Sequence, residues 1–197
     1  MPHTTKLLFL AGSAREGSLN KRLARLGVDI ATANGLHATF ADLGDYPMPL
    51  YDGDLETKSG APDNAVKLKA LMSIHAGVFI AAPEYNAGIT PLLKNTLDWM
   101  SRVKAEGEAP LHVFKSRVFA LGAASPGGFG GLRGLMAART VLELGLGALV
   151  LPDQIAIPRA MDAFDERGHL KDAAQQASLK AVVEKLARAA RVLHGEG

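Results

Sequence analysis

In the stretch LLFLAGSAREGSLN, Leu7–Asn20, a short apolar run passes directly into a loop of small and polar residues. Residues 7–11 are predicted to form a buried strand, and an amphipathic helix is predicted to begin at Leu19. The unpaired backbone N–H groups at a helix N-terminus carry partial positive charge, so a loop in this position favours a bound phosphate. The alternative is a polar turn in which Ser18 only caps the helix.

Several side chains of this loop are able to donate hydrogen bonds to an anion. Ser13 and Ser18 offer hydroxyl groups, Asn20 offers an amide and Arg15 offers a guanidinium. The Gly-Lys-Ser/Thr of a P-loop is missing, and Ala14 interrupts the Gly-x-Gly-x-x-Gly pattern of dinucleotide-binding turns. The loop therefore argues against ATP hydrolysis and against dinucleotide binding through this turn.

The rest of the chain alternates apolar runs with amphipathic helices. The remaining strands are predicted at residues 38–43, 77–82, 117–124 and 148–157, and the helices at residues 19–34, 62–76, 91–103, 132–146 and 172–193. This alternation predicts a parallel sheet with helices on both faces. Both the dinucleotide-binding sheet and the flavodoxin-like order 2-1-3-4-5 suit the pattern, and in either one ligands bind at the carboxyl ends of the strands.

Composition limits the class of protein. The 197 residues fit a single domain, 1–197, with 48% hydrophobic and 21% charged residues. A net charge of +2 does not indicate a nucleic-acid partner, and no run approaches the ~20 apolar residues of a membrane helix. The absence of cysteine excludes thiol catalysis and agrees with a cytoplasmic location. The histidines show no metal-binding spacing, so no metal is predicted.

A second loop of interest follows the third predicted strand. In APEYNAGITP, Ala82–Pro91, Pro83 fixes one backbone dihedral angle and Gly88 permits an unusual one. Such a loop presents backbone groups and the face of Tyr85 to a flat ligand. The alternative is a rigid turn ahead of a helix, with Tyr85 packed against the protein.

The third loop, GAASPGGFGGLRG at Gly122–Gly134, is rich in glycine. Here Gly127, Gly128, Gly130 and Gly131 are expected to expose N–H groups to a ligand, although a mobile surface loop has the same composition. All three loops fall at one edge of the predicted sheet. Their combination suggests a phosphorylated planar cofactor, and flavin mononucleotide (FMN) suits it in size and chemistry.

The chain resembles the NADPH-dependent FMN reductase family, which includes quinone, chromate and azo-compound reductases. The resemblance is carried by three segments, GSAREGSLN, PEYNAGITPLLKNTLDW and SPGGFGG. The resemblance runs from the first to the fifth strand and implies a flavodoxin-like three-layer α/β sandwich of order 2-1-3-4-5. It implies that the FMN phosphate is held by Ser13, Arg15, Ser18, Leu19 (through its backbone) and Asn20. It implies that the isoalloxazine ring is lined by Pro83, Glu84, Tyr85, Asn86 and Gly88. The far side of the ring or the ribityl chain would be approached by Ser125, Gly127 and Gly128.

The activity implied by the resemblance is a ping-pong transfer of hydride from NADPH or NADH to bound FMN, and then to a small-molecule acceptor such as a quinone, azo, nitro or chromate compound. The cofactor carries this chemistry, so no catalytic side chain is predicted. A flavodoxin-like electron carrier for a protein partner is the alternative, but such carriers are usually acidic and their phosphate loops are rich in threonine. A phosphosugar-binding or nucleotide-binding protein without flavin is a third possibility.

The helix at Leu92–Val103 bears on assembly. Trp99 lies off its core-facing stripe, so it either packs within the chain or belongs to a second apolar face at a subunit contact. We expect Asp98 and Arg102 to form an i,i+4 pair. Members of the family commonly use this helix to assemble, which implies a homodimer or homotetramer. The long loop Asp45–Pro62 is expected to contribute to the choice of acceptor.

Overall fold

A computed structural model describes residues 5–194 of the chain. Its strands are β1 (Lys6–Ala11), β2 (His37–Asp42), β3 (Gly77–Ala81), β4 (Glu84–Tyr85), β5 (Gly88–Ile89), β6 (Val118–Ala124) and β7 (Leu149–Ile157). Its helices are α1 (Leu19–Ala33), α2 (Gly53–Ser59), α3 (Asp63–Ser73), α4 (Pro91–Arg102), α5 (His112–Lys115), α6 (Leu132–Arg139) and α7 (Ala173–Leu193). A 3₁₀ turn, Leu43–Asp45, follows β2, and a π-helical stretch, Thr140–Gly145, continues α6.

Five parallel strands form the central sheet in the order β2-β1-β3-β6-β7. The two shortest strands, β4 and β5, form a separate antiparallel hairpin. With this hairpin set aside, the order is 2-1-3-4-5, so the predicted flavodoxin-like fold is confirmed. The strand order reverses between β1 and β3, and open α/β sheets bind ligands at the carboxyl ends beside such a reversal. A single domain over residues 1–197, whose ends lie outside the described range, remains a prediction.

The helices cover both faces of the sheet. On one face, α1 and α7 pack on Leu7, Phe9 and Phe79, and on the other face α3, α4 and α6 pack on Leu8 and Leu10. Every residue of β3 is buried. This burial explains why the central strands are continuous apolar runs instead of alternating ones.

The segment predicted as a loop, Asp45–Pro62, contains a helix, so that part of the prediction is wrong. The carboxylate of Asp52 caps α2 by accepting the N–H groups of Asp54 and Leu55 at 2.7 and 3.3 Å. Gly60, at a φ of +74°, ends the helix. The signals for a short capped helix were present in the sequence, but the density of proline and glycine around them concealed it.

The same segment covers the outer side of α4. The carbonyl oxygen of Pro49 accepts hydrogen bonds from Trp99 Nε1 at 2.7 Å and Asn95 Nδ2 at 2.9 Å. The ring of Tyr51 meets Trp99 edge-on, with centroids 5.0 Å apart, and Trp99 is fully buried. Trp99 therefore packs within its own chain and forms no apolar face for a subunit contact.

The expected pair between Asp98 and Arg102 is not formed. Lys94 Nζ lies 2.7 Å from the Asp98 carboxylate, and Arg102 Nε lies 2.8 Å from Glu56 on α2. Because α2 was not predicted, its carboxylate was missing from the sequence-based pairing. The bond from Arg102 lowers the pKa of Glu56 despite the opposing effect of desolvation.

The predicted helix at residues 132–146 changes from α to π at Thr140. Arg139, the last α-helical residue, donates from Nε to Gln154 Oε1 at 2.9 Å and from its guanidinium to the carbonyl of Leu151. These bonds hold β7 where its register with β6 shifts, next to Pro152. A proline at a bulge of an edge strand costs no ladder hydrogen bond, so β7 reaches the functional edge of the sheet intact.

His75 joins the edge strand β2 to α3 and is only 3% exposed. Its Nδ1 lies 2.7 Å from the Leu71 carbonyl oxygen and its Nε2 lies 3.0 Å from Thr39 Oγ1. A carbonyl only accepts, so Nδ1 carries the hydrogen and Nε2 accepts from the Thr39 hydroxyl. Burial lowers the pKa of His75, the nearby Lys6 and Arg117 charges lower it further, and the Leu71 bond partly opposes them.

We predict that His75 makes the protein less stable as the pH falls. Its folded-state pKa lies below the unfolded value of about 6.5, so below pH ~6.5 the unfolded chain binds a proton that the folded chain does not, and stability drops by up to about 1.4 kcal/mol per pH unit. Urea unfolding between pH 7.5 and 5.0 should show this slope, and His75→Gln should flatten it. Equal slopes in the two proteins would contradict the prediction.

Candidate functional site

Loops after β1, β3, β6 and β7 meet at the carboxyl edge of the sheet around a cleft of about 290 Å³. Of the predicted site residues, it is lined by Ser13, Arg15, Ser18, Leu19, Asn20, Pro83, Glu84, Tyr85 and Ser125, together with Gly17, Arg22, Ala124, Pro126 and Met161, which were not predicted. The other predicted residues, Asn86, Gly88, Gly127 and Gly128, lie outside this lining, on the hairpin and the glycine-rich loop. Loops that are distant in sequence thus share one cleft.

The loop after β1 is held from both sides at Gly12. Its N–H donates to the Ala81 carbonyl at 2.9 Å, and its carbonyl accepts the Thr90 hydroxyl at 2.6 Å. A Cβ at Gly12 would lie 3.0 Å from Leu93 Cβ and 3.1 Å from Pro83 Cδ, so any side chain there would push α4 and the hairpin outward. Thr90 also caps α4, and sequence reasoning missed its second role.

The start of α1 leaves donors available to the cleft. The first hydrogen bond of the helix runs from the Arg22 N–H to the Ser18 carbonyl at 3.1 Å, so the N–H groups of Leu19 and Asn20 precede it. Ser18 Oγ accepts from the Lys21 N–H at 3.3 Å, which makes Ser18 the helix cap that the alternative interpretation proposed. Ser13 Oγ accepts from the Arg15 N–H at 3.3 Å. Within residues 5–194 neither serine hydroxyl donates a hydrogen bond, so both hydroxyl hydrogens are available there.

Asn20 has a different role from the predicted one. Its Nδ2 donates to the Ala124 carbonyl at 2.8 Å, and its Oδ1 accepts the Ala124 N–H at 2.9 Å. The side chain thus binds the last residue of β6. The next residue, Ser125, was expected to approach the far side of the ring or the ribityl chain. Asn20 ties the first loop to the third and leaves its own backbone N–H for the cleft.

Lys21, missed in the sequence, closes the first loop. Its ammonium lies 2.6 Å from the Asp42 carboxylate and 3.2 Å from the Ala14 carbonyl oxygen. The parallel register that pairs Ala11 with Asp42 brings this acid to the same edge of the sheet. Only the strand pairing reveals this contact, because 21 positions separate the two residues in the sequence.

In the hairpin, the residues with positive φ angles are not Gly88 but the two residues before it. Asn86 and Ala87 adopt φ values of +50° and +64°, in the left-handed region, whereas Gly88 does not. The expectation for Gly88 is therefore wrong. A two-residue turn of this hand matches the twist of a tight hairpin, which is why the strain falls at its centre.

Glu84 anchors the hairpin to α6. Its carboxylate accepts the Gly134 N–H at 3.1 Å and pairs with Arg133. A Cβ at Gly134 would lie 2.9 Å from Glu84 Cβ, so glycine is needed for this approach. Desolvation raises the pKa of Glu84, but the Gly134 N–H and the Arg133 guanidinium lower it by more. The pKa of this carboxyl group is therefore below its usual value. The anchor fixes the direction of Tyr85, which is 49% exposed.

Only part of the glycine-rich loop is open. Gly130 and Gly131 have φ values of +62° and +92°, and a Cβ on either would lie 2.7 Å from Ile157 or Ala123. These two glycines pack against the protein, and the Gly130 N–H donates to the Gly127 carbonyl at 3.2 Å, so Gly130 does not present its N–H as expected. Around Gly128 there is open space, and a Cβ on its neighbour Gly127 would meet only Ser125 Oγ, at 3.7 Å.

The end of the cleft next to α1 is positively charged. Arg15 and Arg22 both line it, and within residues 5–194 neither guanidinium has a carboxylate within 4 Å. The first turn of α1 contains no acidic residue. Among the described residues, no group of three His, Cys, Asp or Glu is placed to hold a metal ion. None of the helices in that range is long and apolar enough to cross a membrane.

A flavodoxin-like sheet with a cleft beside its switch point is typical of proteins that bind a nucleotide cofactor. A family model of NADPH-dependent FMN reductases matches residues 5–162. The chain belongs to this family, as the sequence motifs indicated.

Individual relatives agree with the family assignment. The NAD(P)H-dependent FMN reductase of Pseudomonas aeruginosa is 30% identical over 173 residues, 87% of this chain and 88% of that protein. The quinone reductase of Escherichia coli (strain K12) is 35% identical over 103 residues, which span about half of each protein, 52% of this chain and 54% of the relative. The solved structure of FerB, a flavoenzyme NAD(P)H:(acceptor) oxidoreductase from Paracoccus denitrificans, has a TM-score of 0.79 at 22% identity and covers 96% of this chain and 98% of FerB.

We predict that Asn20→Ala lowers the free energy of unfolding by about 2–4 kcal/mol, even without any ligand. The change removes two buried hydrogen bonds and leaves the Ala124 N–H and carbonyl unpaired. Urea unfolding of the flavin-free protein measures this. Ser18→Ala, which removes only a helix cap, is the matched control and should cost about 1 kcal/mol. A smaller loss for Asn20→Ala than for Ser18→Ala would show that the two hydrogen bonds between Asn20 and Ala124 do not stabilise the protein.

Proposed function

We propose that this protein is an NAD(P)H-dependent, FMN-containing oxidoreductase that reduces a small-molecule acceptor, with a quinone as the first candidate. The observation that carries the proposal is the cleft, which is lined by the donors of the first loop and by Tyr85 of the hairpin, while the open glycines Gly127 and Gly128 follow its lining residues Ser125 and Pro126 in the chain. Membership of the FMN reductase family supports the cofactor, and the quinone reductase of E. coli supports the acceptor class.

The donor set fits a flavin phosphate at the α1 end. Ser13 and Ser18 retain hydroxyl hydrogens, the first backbone N–H groups of α1 are available, and Arg15 adds a charge. Among the described residues that line the cleft, Glu84 is the one carboxylate, and its charge is matched by Arg133. Negative charge is therefore not repelled from the α1 end.

The opposite end suits a flat ring. Pro83 and Tyr85 supply a rigid apolar wall, and the Glu84 anchor holds them in place. A bound FMN would supply the hydride chemistry of a ping-pong reaction between NADPH or NADH and the acceptor. The chain binds and orients the ring, and we assign a donor from Asn86 or from the Gly128 N–H to the charge that develops on it. The Gly127 N–H already donates to Ser125 Oγ at 3.3 Å. No side chain is assigned as acid, base or nucleophile.

We also propose a homodimer or homotetramer. Helix α4 does not support this proposal, because the chain itself covers it. The support comes from α6 and from the loop before it. Phe129 and Met136 are 68% and 61% exposed there, beside the partly exposed Leu132, and exposed apolar clusters mark contact surfaces. Azo, nitro and chromate compounds remain further proposed acceptors, and the cytoplasm remains the proposed location.

The proposed activity predicts a yellow protein, or one that takes up added FMN, whose visible flavin absorbance is lost on anaerobic addition of NADPH. With a small quinone present and no protein partner, steady oxidation of NADPH should follow. Bleaching without turnover would favour the electron carrier over the reductase. A colourless protein that does not take up FMN would contradict the proposal and favour a phosphosugar-binding or nucleotide-binding protein.

We predict that Arg15→Ala weakens FMN binding by about 1.5–3 kcal/mol, the range for a hydrogen bond to a charged group. The Arg15 side chain is exposed and makes no hydrogen bond within residues 5–194, so the thermal stability of the flavin-free protein should not change. Quenching of FMN fluorescence on titration with protein measures the affinity. Unchanged affinity would remove Arg15 from the phosphate site.

A further inference from the structure

Arg22 is a cleft residue that the family motif does not include. It lies at the fourth position of α1, four residues after the cap Ser18, and it lines the same cleft as Arg15. Its guanidinium carbon lies 4.9 Å from the centroid of the Phe164 ring, and its Nη2 donates to the Asp165 carbonyl at 3.3 Å. The side chain is exposed but is held in one direction.

The support for Arg22 is a compact turn, residues 163–171, beyond the part of the chain that the family model matches. Phe164 pairs with Leu170 in an antiparallel bridge, and both side chains are 5% exposed. The Asp165 carboxylate accepts the N–H groups of Arg167 and His169 at 2.9 Å each. Because this carboxylate is committed to its own turn, Asp165 offers Arg22 only a carbonyl and leaves the guanidinium charge unpaired.

The charge of Arg22 is otherwise poorly placed. Cations are unfavourable at the positive end of a helix dipole, and α1 has Lys21 and Arg22 there with no acidic residue in its first turn. Lys21 is neutralised by Asp42. Arg22 has no carboxylate within 4 Å in the described part of the chain. An unpaired cation near the N-terminus of a helix is unfavourable, yet here a turn holds the Arg22 side chain beside the cleft. This arrangement indicates a ligand of opposite charge.

We propose that Arg22, positioned by Phe164 and the Asp165 carbonyl, is a second cation for the terminal phosphate of the flavin cofactor. This inference rests on the proposed function. A phosphate monoester carries a charge of roughly −1.5 to −2 at pH 7, so Arg15 alone leaves about half of it unmatched. A guanidinium that is already seated loses less side-chain freedom on binding than a free one.

The test compares two flavins that differ only by the phosphate. Arg22→Ala should raise the dissociation constant of FMN about 10-fold and leave that of riboflavin within a factor of two. Arg25→Ala is the matched control. It removes an exposed arginine one turn further along α1 that sits over the Phe40 ring at 4.5 Å in the same way, and it should change neither constant. Arg22→Lys should recover part of the FMN affinity.

Inorganic phosphate gives a second readout that needs no flavin. The rise in melting temperature that phosphate causes in the flavin-free protein should fall by about half in Arg22→Ala and stay unchanged in Arg25→Ala. Phe164→Leu, which removes the seat but keeps the guanidinium, should weaken FMN less than Arg22→Ala and leave riboflavin unaffected.

The results separate this inference from the proposed function. If Arg22→Ala weakens FMN and riboflavin equally, or weakens neither, Arg22 is a structural or surface residue and the inference is overturned. If the unaltered protein binds neither flavin, the proposed function itself fails and takes this inference with it. If FMN alone is affected and Phe164→Leu has no effect, Arg22 binds phosphate but the turn does not position it, which overturns the second half of the proposal.

Discussion

The site depends most on the pair of hydrogen bonds between the Asn20 side chain and the backbone of Ala124. They join the first turn of α1 to the end of β6, so two loops separated by about a hundred residues keep a fixed distance. Both partners are buried, where an unpaired amide or carbonyl would cost about twice what a formed bond contributes. These bonds lie within the chain, so joining the two loops does not require the cofactor.

The architecture could be predicted from the sequence because it follows from patterns that act locally. Buried parallel strands are continuous apolar runs, and β1, β3 and β6 are of this kind. Alternation with helices then limits the sheet to very few orders. The meeting of three loops at one edge follows from parallel strands alone, so the location of the cleft was available from the sequence. The helix α2 was missed although its cap Asp52 is local in the sequence, because proline and glycine surround it and its bond to α4, from Arg102 to Glu56, forms only on folding.

The roles of individual side chains were less predictable. A motif shows which residue types stand in a loop, but the competing partners come from other strands. Asn20 and Glu84 were assigned to the ligand, yet their polar groups bind Ala124 and Gly134. Gly130 and Gly131 were assigned to exposed backbone, but they allow close packing. In each of these cases the deciding neighbour lies on another element and becomes a neighbour only after folding.

The polar residues in and around the cleft consequently divide into two sets by what they already bind. Asn20 and Glu84, which line the cleft, and Lys21 and Thr90, which do not, each bind another part of the chain through the side chain, and they hold the loops. The serine hydroxyl hydrogens, the first N–H groups of α1 and the guanidinium groups of Arg15 and Arg22 are not neutralised, and they face the cleft. All members of the second set are donors. This excess of available donors is complementary to an anion, and it supports the proposed phosphate site more than any single residue does.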